Sequence, residues 1–300
     1  MLTATVNFTK GCSNHFYYSA GCLDCLNVIE LTKIKLKHGY HDLKIDHGNP
    51  SPKLQMIRQQ YQTKLTLFLR EAAHKAAKAG KKRAEEVIKA TGDELNEIAL
   101  SAYREIAWED IVDDSIAVLQ EANGLGGMDG ISQLAIASNL VPDMTTRVQD
   151  AAAEYARQRA AEMIGKKYQD GELINSDRAE FVIADTTRDD LKDLVEQAFV
   201  EGMSSEELAA AILEATTFSA TRAQLIAKTE IAMAQVQGNL GVWQRSGMVK
   251  KVNIILSADH SEYDICDIAA NGGPYSIDEM PFIPRHPRCE CVIMASEIIE

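Results

Sequence analysis

Between Cys25 and Cys266 the chain has no cysteine, although it holds six among its 300 residues. It also lacks any apolar run approaching the roughly 20 residues that a membrane-spanning helix needs, which excludes an integral membrane role. The opening residues MLTATVNFTK have neither a basic start nor a continuous apolar segment, so no secretory leader is expected. The chain shows no repeat of fixed period and no low-complexity tail. The glycine-rich stretch GLGGMDG, Gly124 to Gly130, is not followed by Gly-Lys-Ser/Thr, which excludes a P-loop. Basic charge is short as well: 31 Lys and Arg stand against 44 Asp and Glu, for a net charge of −13. Phosphate contact needs positive charge, so such a chain does not coat nucleic acid over its whole surface.

What is present is mostly helical signal. A breaker string, DHGNPSP, separates an irregular first segment from the rest. Beyond it Met56, Ile57, Tyr61, Leu65, Phe68 and Leu69 fall at three-and-four spacing, as on one face of a helix. Gly80 and Gly92 punctuate this region, and a second amphipathic stretch with an acidic first turn runs from Asp93. GLGGMDG reads as a loop, MDGISQLAIASNL as a short helix, and Pro142 as the first turn of a helix through Ile164. Gly202 ends one later helix; Ser204 opens the next, with Glu207 at capping-box spacing. A long helix from Ser219 stops at Gly247. Only then do strand-like runs appear, KKVNIIL and CECVIM. The expected fold is mainly α: a long helical body with a small C-terminal α+β domain. The expected segments are an irregular Cys/His arm over 1–52, the helical body over 53–218 and the α+β domain over 219–300. The lysine-rich run from Lys64 to Lys89 reads as a solvated helix face, or else as a basic patch for DNA or an acidic partner.

The cysteines sit at the two ends. Cys12, His15, Cys22 and Cys25 form two ligand pairs, each with two intervening residues, in the manner of a small zinc knuckle. At the other end Cys266 joins His286, Cys289 and Cys291, which is the number of soft ligands a closed zinc site takes. Asp264 and His260 are spare ligands. Structural Zn2+ at one or both ends is one reading; small buried packing residues are the other.

The order TRAQLIAKTEIAMAQVQGNL, then SADHSEYDICD, then HPRCEC resembles the phage Mu F-like head morphogenesis (minor capsid) proteins. It rests on Lys228-Thr229-Glu230, Asn239, Ser257, Asp259, His260, Asp264, Cys266 and the closing HPxCxC, over Ser219 to Ile293. Family members often carry C-x-x-C in the loop; here Ala269 stands where the second thiol falls. The resemblance implies a non-enzymatic virion protein of the head interior near the portal, made in the host cytoplasm and present in a few copies. Its implied partners are the portal protein, the major capsid protein and the packaged DNA, and its implied work is head assembly with DNA packaging or ejection. Two alternatives follow from the residues: a DNA-binding accessory protein using the knuckle and the lysine run, or a metal-dependent nuclease on Asp259, His260, Asp264 and His286.

Overall fold

The computed structural model describes residues 50–87, 91–138, 145–179, 182–257, 260 and 263–299. The chain is mainly α-helical with small antiparallel sheets, as the sequence led us to expect. In order, the helices are α1 (Pro52–Glu86), α2 (Gly92–Arg104), α3 (Val112–Ser138), α4 (Thr145–Met163), α5 (Ile183–Val200), α6 (Ser205–Glu214), α7 (Ala220–Ser246) and α8 (Ile265–Gly272). The strands are β1 (Lys166–Gln169), β2 (Glu172–Asn175), β3 (Val249–Ile255), β4 (Tyr275–Ser276) and β5 (Val292–Ile298). Two compact units form. One contains Gln59–Val118 and Ala156–Ala227; the other contains the described residues from Pro50 to Arg58, Leu119–Tyr155 and those from Lys228 onward.

The first unit is helical apart from the β1–β2 hairpin. Along α1, Tyr61, Leu65, Leu69, Ala72, Ala73, Ala76 and Ala77 are buried, a stripe at three-and-four spacing. Phe68 lies only partly inside it, although its ring tilts against Trp108 at 5.5 Å between centroids. The helix does not stop at Gly80. A Cβ there would meet Ile212 Cδ1 of α6 at 3.0 Å, so this glycine admits a neighbouring helix. Helix α2 packs along α5, and α5 along α6. The turn between α5 and α6 follows its local chemistry. Gly202 takes a φ of +71°, and Ser204 and Glu207 close a capping box at the start of α6. Three lysines of the run expected as a basic patch are paired: Lys64 with Asp114, Lys75 with Glu71, and Lys81 with Glu206. The β1–β2 hairpin turns on Asp170-Gly171, both at positive φ, which suits a two-residue turn.

The other unit departs most from expectation. GLGGMDG is not a loop; it lies inside α3, which runs unbroken to Ser138. Its glycines face α7. A Cβ on Gly126 would stand 2.0 Å from the Gln235 carbonyl oxygen, and one on Gly238 would stand 2.1 Å from that of Asn123. The two helices therefore meet backbone to backbone, and only hydrogen in place of a side chain permits it. Polar groups stitch this seam. Asn123 Nδ2 donates to the Ala234 carbonyl at 3.0 Å, and Trp243 Nε1 donates to that of Gly130 at 3.2 Å. Asn239, one of the residues that carry the resemblance, is buried here opposite Gly130. After Gly247, at φ +64°, the chain enters the sheet β4-β3-β5, all antiparallel. One apolar core joins Leu240, Trp243, Val252, Ile254 and Ile293, and the three cysteines Cys266, Cys289 and Cys291 belong to it.

Candidate metal centre

Helix α8 positions the first ligand. Asp264 is its N-cap: its Oδ1 accepts from the Cys266 backbone N–H at 2.6 Å, and Asp267 returns a bond to the Asp264 N–H at 2.8 Å. Cys266 and Ala269 then face the core, while Ile265 and Ile268 face solvent, as three-residue spacing dictates. The other two sulfurs come from the segment just before β5. Cys289 and Cys291 are both buried, although they precede the strand rather than lying on it.

The Sγ atoms of Cys266, Cys289 and Cys291 all lie within 4.8 Å of one another. Cys266 Sγ and Cys289 Sγ are 3.6 Å apart. Two sulfurs on one tetrahedral zinc stand about 3.8 Å apart, given Zn–S bonds near 2.3 Å. The three thiols are free and nearly inaccessible, with relative exposures of 0%, 2% and 1%. Their acidities are split. Hydrogen bonds from the Cys291 thiol and from the backbone at Arg285 and Cys291 pull Cys289 down to about 5, against the cost of burial. Burial first, and then the charge of Cys289, push Cys266 up to about 12. Cys291 is driven upward by its bond to Cys289 and by burial. A cation is what allows all three sulfurs to ionise together.

A second group shares only Cys266 with the three sulfurs: Asp264, Cys266 and His286, also within 4.8 Å of one another. His286 Nδ1 lies 2.8 Å from the Pro287 carbonyl oxygen, which can only accept, so Nδ1 carries the hydrogen. Nε2 is the ring nitrogen left facing the Asp264 carboxylate. It is buried, makes no hydrogen bond, and sits 3.1 Å from Asp264 Oδ2 without the alignment of one. The three sulfurs could hold a metal ion, with His286 grouped beside Cys266 but not with Cys289 and Cys291. His260 serves differently: its Nε2 pairs with Asp267 at 2.7 Å, and that contact is the main cause of its raised pKa.

The structure adds a feature that ligand spacing did not reveal. Glu290 lies between the two cysteines of the closing motif and points away from the sulfurs. Its carboxylate joins Arg58 at the start of α1 and Lys228 on α7, the latter at 3.2 Å. Side-chain exposures are 12% for Arg58, 11% for Glu290 and 29% for Lys228, so this network is largely out of water. Next to it the Arg288 N–H donates to Thr229 Oγ1 at 3.1 Å. Lys228-Thr229 and HPRCEC, two pieces of the resemblance about sixty residues apart, are two sides of one contact.

Residues 189–294 match the family model described as Phage Mu protein F like protein. The chain carries a phage Mu F-like region. The match begins inside α5, upstream of Ser219, where the resemblance first becomes legible. No curated protein and no solved structure matches the chain. The Mu F-like region includes all of the C-terminal ligand set: Cys266, His286, Cys289 and Cys291. The other expected set, Cys12, His15, Cys22 and Cys25, lies outside the described residues, as does Asp259. Among the described residues, no helix is long and apolar enough to cross a membrane.

Proposed function

We propose that this is a phage minor head protein without catalytic activity, and that a structural Zn2+ cross-links its Mu F-like region. The observation that carries the reading is the buried three-sulfur cluster with His286 Nε2 at its corner, inside the matched region. Cys266, Cys289, Cys291 and His286 hold the ion, and Asp264 sits beside the imidazole as a carboxylate neighbour of the kind that orients metal-bound histidines. The ion supplies a cross-link between α8 and the closing segment. With four protein ligands it leaves no open position for a reacting water. Pairing of Lys64, Lys75 and Lys81 with carboxylates weakens the alternative of DNA binding through the lysine run.

In this reading the protein lies inside the virion head near the portal. It binds the portal protein or the inner capsid wall, in a few copies, and assists head assembly and DNA packaging or ejection. The test is peptide mass spectrometry of purified phage particles, empty heads and tails. We expect the chain in heads, at a few copies per portal ring. Its presence only in the infected-cell lysate, and never in particles, would contradict the reading.

A further inference from the structure

The same three sulfurs support a second cross-link. Cys266 Sγ and Cys289 Sγ already touch at 3.6 Å, and a disulfide needs about 2.0 Å, so closure is a movement of about 1.5 Å. Cys289 and Cys291 are poorer partners. Only Glu290 separates them, and joining them would rebuild the backbone at a residue fixed by Arg58 and Lys228. The Asp264 and His286 side chains beside Cys266 are 35% and 33% exposed, so only a thin layer separates this corner from solvent.

We infer that Cys266 and Cys289 form an oxidative modification site, at which a hydroperoxide converts the pair to a disulfide and leaves Cys291 a thiol. One thiolate attacks the terminal peroxide oxygen. The O–O bond breaks, the alkoxide or hydroxide leaves, and the sulfur becomes a sulfenic acid. The second sulfur then attacks the first, the S–O bond breaks and water departs with the second thiol's proton. The sum is two thiols and one hydroperoxide giving one disulfide, one alcohol or water, and one further water. The inference deepens the zinc reading by giving that site a regulation: oxidation takes two ligands and releases the ion. Zinc and disulfide join the same elements, α8 and the segment before β5, at positions 23 residues apart. Oxidation therefore exchanges one staple for another and leaves the region cross-linked.

The experiment uses the full chain, purified reduced and supplied with zinc, and titrated with hydrogen peroxide. It is digested without reduction after the remaining thiols are blocked. Peptide mapping treats each cysteine separately, so Cys12, Cys22 and Cys25 do not confuse the result. We expect a linked pair of peptides containing Cys266 and Cys289, two hydrogens lighter than the free pair. The link should rise in step with zinc captured by a chromogenic chelator, and dithiothreitol with added zinc should reverse both. Cys291→Ser should keep the link, and Cys266→Ser should abolish it; if either variant fails to fold, the wild-type map still decides. A Cys289–Cys291 link would overturn the inference. So would sulfinic or sulfonic acid without a link, or three cysteines untouched at peroxide levels that oxidise the urea-unfolded chain. Failure of the zinc reading looks different: a wild-type chain that holds no zinc but still forms the Cys266–Cys289 link. Zinc that is bound, with sulfurs that only over-oxidise, would sink the modification site alone.

Discussion

The unit built on Gln59–Val118 and Ala156–Ala227 has no cysteine and is held by ordinary helical means. Apolar stripes face inward, caps close the helix ends, and charges pair across the surface. The unit that contains Lys228–Glu300 is assembled differently. Two helices are fused along bare glycine backbone, one buried carboxylate is clamped between two cations, and three thiols are gathered in the core. The first kind of structure spreads its stability over many small terms. The second concentrates it in a few contacts, each of which one substitution can remove.

The comparison can be broken in several places, starting with the largest expected effect. Chelating the metal should raise amide hydrogen exchange in β3, β5 and α8 about a thousandfold, corresponding to ~4 kcal/mol of ligand stabilisation. Exchange in α2, α5 and α6 should stay unchanged. Equal loss of protection in both units would erase the distinction. Gly238→Ala places a Cβ 2.1 Å from a carbonyl oxygen and should destabilise by about 3 kcal/mol in urea unfolding. Gly92→Ala, where a Cβ meets nothing within 4 Å, should be neutral or slightly stabilising in the same assay. Glu290→Gln leaves Arg58 and Lys228 facing a neutral amide and should cost about 3 kcal/mol. A double-mutant cycle with Arg58→Met should recover part of that loss. Ser204→Ala removes one cap from α6 and should cost only about 1 kcal/mol.

The same contrast explains what could be read from the sequence. The Ser204–Glu207 cap, the stops at Gly202 and Gly247, and the strand before Cys266 are decided by neighbouring residues, and they stood out in advance. GLGGMDG misled because glycines normally break helices. Here tertiary contact with α7 outweighs propensity, and nothing within seven residues shows the partner. The β1–β2 hairpin did leave a signal, Asp170-Gly171 between alternating residues, that was overlooked among long helices. For the site, spacing alone grouped Cys266, His286, Cys289 and Cys291, and the fold brings the three sulfurs together with His286 beside Cys266. Glu290 could not be found that way. Its role depends on Arg58, more than two hundred residues earlier in the chain.

The central claim is tested most directly by counting zinc per chain with elemental mass spectrometry on protein purified under reducing conditions. The samples are the wild type, Cys289→Ser/Cys291→Ser and Cys22→Ser/Cys25→Ser. The account predicts near-stoichiometric zinc in the Mu F-like region, lost in Cys289→Ser/Cys291→Ser and retained in Cys22→Ser/Cys25→Ser. A wild-type chain without zinc, or zinc that survives loss of Cys289 and Cys291 undiminished, would contradict it. The three buried thiols would then be packing residues of the core.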